Sequence, residues 1–166
     1  MSWTEQLLPQ QSGGTLMGCW DLVVPSDVCG ARRRLRAAAA VKAISGAPPD
    51  HSVDAPVEVI EEAVEELLLV FEELASNGLR HGQAPVVARV QAGAECWLVQ
   101  VTDAAPSWPP QPAVDRDPAL GGLGLHLVAR LSSDYGWSVQ GGRKHVWACL
   151  PTPSARPATG GDVSAA

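Results

Sequence analysis

Glu73-Leu-Ala-Ser-Asn77-Gly-Leu-Arg-His81-Gly82 closes a long run in which Val57, Ile60, Val64, Leu67, Leu68, Phe71, Leu74 and Ala75 recur at helical spacing. The spacing predicts one amphipathic helix with a single core-facing side. Glu73, Asn77 and His81 step by four. At about 100° per residue each step turns about 40°, so the three polar side chains share one face of the last turns. A carboxylate so placed can accept a proton, and a carboxamide can offer an oxygen to a hard cation.

Upstream, Asp50 to Ala55 reads as a linker, with Asp54 as a cap and Pro56 suited to the first helical turn. Before it, Val28 to Ser45 is rich in Ala, Leu and Arg and ends near Gly46. It reads as a helix capped by Ser26 or Asp27. Cys19 to Val24, stopped by Pro25, suits a strand. Residues 1–18 carry Gln, Ser, Gly and Thr with isolated apolar residues, and are expected to form a flexible tail.

Downstream of Gly82 the pattern shortens to β-rich runs. Val86 to Gln91 and Cys96 to Thr102 form a hairpin around Ala92-Gly93-Ala94. Residues 104–120 hold Pro106, Pro109, Pro110, Pro112 and Pro118, which bar a regular helix or central strand and predict a long loop, either a lid or a disordered insertion. Gly122 to Leu131 resumes helical spacing. Tyr135 to Gln140 and His145 to Leu150 flank Gly141-Gly142-Arg143-Lys144 as a second hairpin. Residues 151–166 read as a disordered tail. The order strand, helix, helix, hairpin, loop, helix, hairpin predicts one α/β domain over 19–150. It is a two-layer sandwich of a mixed, mainly antiparallel sheet with helices on one face.

Composition narrows the partners. The 166 residues include 18 acidic against 12 basic ones, a net charge of −6, which opposes a surface built to neutralise nucleic acid. No stretch approaches the ~20 apolar residues of a membrane span, and no charged-then-apolar leader opens the chain, so a cytoplasmic location is expected. Cys19, Cys29, Cys96 and Cys149 lack the close pairing of a zinc site and are expected to be unpaired packing or surface residues. Arg32, Arg33, Arg34 and Arg36 form the one dense basic cluster, either a solvated face or a patch for an acidic protein surface. Trp97, Trp137 and Trp147 alternate with polar neighbours and are expected in the core or on a sheet face, whereas Trp108 falls in the loop.

Glu73 alone would be one more solvated glutamate beside Glu58, Glu61, Glu62, Glu65, Glu66 and Glu72. Its joint register with Asn77, with Asp103 at a strand end, and with Gly121-Gly122-Leu123-Gly124 opening a helix reads instead as the parts of a nucleotide site. His81 has two readings, a helix-end hydrogen bond or a ligand contact. A dinucleotide fingerprint does not fit, because a proline-rich loop precedes the glycines and Asp134 follows too soon.

Glu73-x-x-x-Asn77, Asp103 after a strand and Gly122-x-Gly124 resemble the Bergerat-fold ATP-binding domain of the gyrase, chaperone, histidine-kinase and MutL superfamily. The segment Asn77-Gly-Leu-Arg-His81-Gly82 and the short layout are similar to the bacterial anti-sigma-factor serine kinases. The resemblance covers about residues 19–150 and implies ATP and Mg²⁺ as cofactors. Asn77 would coordinate Mg²⁺, Glu73 would act as general base, Asp103 would recognise the adenine amino group, and Gly122 and Gly124 would admit the phosphates. It also implies phosphorylation of a small anti-sigma-factor antagonist protein and contact with a sigma factor, with no direct nucleic acid or membrane partner. Homodimerisation through the sheet or first helix is left open. Two differences from the family stand out: Ala105 occupies a position that is often glycine, and the loop lacks a Thr-Thr-Lys segment, leaving Arg116 as its one cation. A nucleotide-gated binding module without phosphoryl transfer is the alternative these differences favour.

Overall fold

The computed structural model describes residues 3–9, 13–45, 56–111 and 123–156. The element order is β1 (Thr15–Leu22), α1 (Pro25–Ser45), α2 (Val57–His81), β2 (Val86–Ala92), β3 (Cys96–Asp103), α3 (Gly124–Leu131), β4 (Asp134–Gln140) and β5 (Arg143–Pro151). A 3₁₀ turn follows at Pro153–Ala155.

The three-and-four spacing of its apolar residues makes α2 the spine of the molecule, burying Leu67, Leu68, Val70, Phe71, Leu74 and Ala75 against the sheet. Pro56 stands just before the first turn rather than in it. Its carbonyl accepts from Val59 and Ile60 at 2.9 and 3.2 Å, a place where its missing N–H costs nothing. Asp54 lies outside the described residues. Helix α1 starts at Pro25, earlier than expected, because Asp27 reaches back from the first turn to accept from the Val23 and Val24 amides, each at 2.9 Å.

The five strands lie in the order β1-β2-β3-β5-β4, and every neighbouring pair is antiparallel. Gly141 and Gly142, at φ 57° and 72°, make the two-residue turn between β4 and β5, a conformation favoured in tight hairpins. Side chains alternate across the sheet. Trp97, Val99 and Val101 of β3, with Val146, Ala148 and Leu150 of β5, join the helix-side core. Leu98, Trp147 and Cys149 form a smaller cluster on the other face. Trp97 and Trp147 are fully buried and Trp137 packs at the core margin, as the alternation predicted.

Three expectations need correction. β1 begins at Thr15, not Cys19, and residues 3–9 are docked rather than loose. Trp3 is 7% exposed with its ring 5.0 Å from Tyr135, Glu5 pairs with Trp137, and Gln6 Nε2 donates to the Tyr135 carbonyl at 2.7 Å. One large aromatic supplies apolar area that the polar composition around it conceals. At the other end, residues 151–156 are held as well: Arg156 pairs with Glu62 and Glu66 of α2. Residues 157–166 lie outside the described part. Finally, Cys96 and Cys149, expected unpaired, form a disulfide between β3 and β5. Cys149 faces Leu98, two residues from Cys96, so the pair sits diagonally on one face with Cα atoms 5.6 Å apart, a separation disulfides commonly span. Cys19 and Cys29 are free and exposed. No helix among the described residues is long and apolar enough to cross a membrane.

Candidate functional site

Gly78 brings α2 close against the sheet. A Cβ there would lie 2.8 Å from a Val101 methyl and 3.0 Å from a Val86 methyl, so only a glycine lets the helix settle on β2 and β3 at this depth. Seating that turn sets the flank of α2 carrying Glu73 and Asn77, both half-buried. Among the described residues neither of these side chains has a hydrogen-bond or ion-pair partner, which leaves a carboxylate and a carboxamide available one turn apart.

Two further segments converge on this end of α2. The start of α3 does so through Gly124, where a Cβ would collide with the Glu73 carboxylate, its Cδ only 2.7 Å away. The end of β3 does so through Asp103, whose Cγ would lie 2.7 Å from a Cβ on Gly82. The Ala104 amide also donates to the Gln83 carbonyl at 2.9 Å.

Asp103 itself is 1% exposed. Its Oδ1 accepts from the Ala105 amide at 2.8 Å, and its Oδ2 lies 3.2 Å from Lys144 Nζ. Lys144, its partner across the β3–β5 ladder, is also buried and donates to the Trp108 carbonyl at 2.9 Å. A buried charge is tolerable only when paired and hydrogen-bonded, and these two satisfy each other. Sequence reasoning missed Lys144. It looked like a turn residue after two glycines, and nothing in one strand's pattern names the residue opposite it on another.

Of the other candidates, His81 is exposed on the last turn of α2, where a basic residue complements the helix dipole. Leu123 precedes α3 and is 53% exposed. Leu125 turns its side chain into the core, so any ligand role there would fall to its backbone amide. Gly121 and Gly122, the first helical turn expected at Gly122, and loop residues 112–120 with Arg116 lie outside the described residues. The basic cluster on α1 is partly spent within the molecule: Arg32 pairs with Glu72 at 3.2 Å and Arg36 with Glu65 at 2.6 Å. Arg33 and Arg34 remain exposed. A cavity of about 260 Å³ lined by Arg89, Gln100, Thr102 and Arg143 belongs to the other sheet face, away from Glu73 and Asp103.

The donor set suits a nucleotide and its divalent ion in one respect and complicates it in another. Among the described residues no three His, Cys, Asp or Glu side chains gather as a metal cage. A lone amide oxygen at Asn77 matches a Mg²⁺ that takes most of its ligands from phosphate and water. Asp103, in contrast, already has a cationic partner.

A protein-family model described as the histidine kinase-like ATPase domain matches residues 31–150. A search of curated proteins found no match.

Proposed function

The chain belongs to the histidine kinase-like ATPase domain family, which carries ATP binding with it, and we propose that it is an ATP- and Mg²⁺-dependent protein serine/threonine kinase of the anti-sigma-factor type. Its substrate would be a small antagonist protein, and a sigma factor its second partner. The observation that carries the reading is the Glu73 carboxylate, without a partner among the described residues, lying against Gly124, with Asn77 one turn further on.

In this reading Glu73 takes the proton from a serine or threonine hydroxyl as the oxygen attacks the γ-phosphorus, and ADP leaves with the electron pair of the broken P–O bond. Asn77 would hold Mg²⁺, which would offset phosphate charge. The backbone amides at the start of α3 would donate to phosphate oxygens, Gly124 leaving them unobstructed. Arg33 and Arg34 offer the charge for an acidic partner surface. The proposed setting is the cytoplasm, although the Cys96–Cys149 bridge is of a kind uncommon in reducing compartments.

Incubation with γ-labelled ATP and purified antagonist-type proteins tests the reading. Glu73→Ala is expected to bind ATP as wild type does and to lose transfer by about 100-fold or more. Undiminished transfer would remove Glu73 as the base. The second reading, a nucleotide-gated binding module, is favoured by the closed Asp103–Lys144 pair and by Ala105. ATP binding by calorimetry without transfer to any partner would select it.

A further inference from the structure

Asp103 and Lys144 form a pair that the phosphoryl-transfer scheme leaves without a role. They face each other in the β3–β5 register and are 1% and 5% exposed. An ammonium has three N–H donors and a carboxylate about four acceptor positions. Lys144 spends one donor on Asp103 Oδ2 and one on the Trp108 carbonyl. Asp103 spends one acceptor position on Lys144 and one on the Ala105 amide. Among the described residues, one donor on Lys144 and two acceptor positions on Asp103 are left over. The two residues therefore present an acceptor beside a donor, the complement of a purine edge with an N–H next to an unprotonated ring nitrogen.

We propose that Lys144 is a specificity-determining residue of the base pocket, donating to the N1 ring nitrogen of adenine while Asp103 accepts from the neighbouring exocyclic amine. The inference rests on the ATP-binding reading of this site. Lysine can only donate. Guanine in the same orientation would set an oxygen against Asp103 and an N–H against Lys144, a mismatch at both positions, and unmatched buried polar groups are where hydrogen-bonding sites discriminate most strongly. Because both side chains are closed off from solvent, a base reaches them only as the 104–111 segment gives way. The Trp108 carbonyl is that segment's bond to Lys144, and the Trp108 residue itself is 58% exposed.

The test is calorimetric titration of the full chain with Mg·ATP, Mg·GTP and an ATP analogue carrying a C–H in place of N1. Wild type is expected to bind the analogue about 10- to 100-fold more weakly than ATP, the loss of one hydrogen bond from a charged donor. GTP is expected to bind more weakly still. In Lys144→Met the analogue and ATP should bind alike. That variant strands a buried carboxylate, so the neutral double variant Asp103→Asn/Lys144→Met serves as a second comparison in which the N1 preference must also vanish. Equal affinity of wild type for ATP and the analogue overturns the role of Lys144 while ATP binding stands. A wild type that binds no triphosphate overturns the ATP reading and this inference with it.

Discussion

At the scale of single residues, the proposed site depends on a carboxylate that has no partner among the described residues. Glu73 rests on Gly124, and a methyl group there would meet the flexible end of the glutamate rather than a backbone. Gly124→Ala should therefore swing the carboxylate aside and leave the fold nearly untouched. Thermal unfolding is expected to change by less than about 1 kcal/mol, while phosphoryl transfer falls by about 100-fold, the scale of a displaced catalytic group. Equal losses in stability and transfer would mean that Glu73 is a packing residue. Asp103 illustrates the opposite case, since its partner was invisible from the sequence. The Asp at the end of a β-rich run was legible, but Lys144 lies beyond the loop and α3, and only the β3–β5 register brings the two together.

At the scale of elements, α2 was legible because its apolar period runs unbroken for many turns, and the β4–β5 hairpin because Gly141-Gly142 suits one turn type. Less legible was the depth at which α2 sits. Gly78 packs on Val101 and Val86, both buried and both β-branched, whose methyls have little rotameric freedom. Alanine gains about 1 kcal/mol of helix propensity over glycine, but overpacking costs about 1–3 kcal/mol. Gly78→Ala is thus expected to lower the urea midpoint. Helix α1 carries a pH-dependent start. The amides of Val24 and then Val23 hold the Asp27 carboxyl below its ordinary value. A lowered carboxyl stabilises the fold at pH values above the unfolded one, and that contribution disappears as pH falls through the folded value. The Tm of Asp27→Asn should lie below that of wild type at neutral pH, with the gap closing below about pH 4. A gap independent of pH would assign the effect to something other than the charge.

At the scale of the whole molecule, the outermost described segments are held to the body: Trp3 against Tyr135 at one side, Arg156 against Glu62 and Glu66 at the other. Trp3→Ala is expected to cost about 3 kcal/mol in chemical denaturation, the scale of losing a buried aromatic. A change near zero would mean that the N-terminal segment contributes no packing. The sequence by itself determined the layers, the strand and helix order, the spine α2 and the shared face of Glu73 and Asn77, because all of these follow from local periodicity and turn chemistry. Tertiary structure alone decided that Lys144 closes on Asp103, that Gly124 meets Glu73, that Cys96 joins Cys149 and that Trp3 enters the core. Each of those joins groups far apart along the chain, and strand register and helix seating are set by total burial, to which no local pattern gives access.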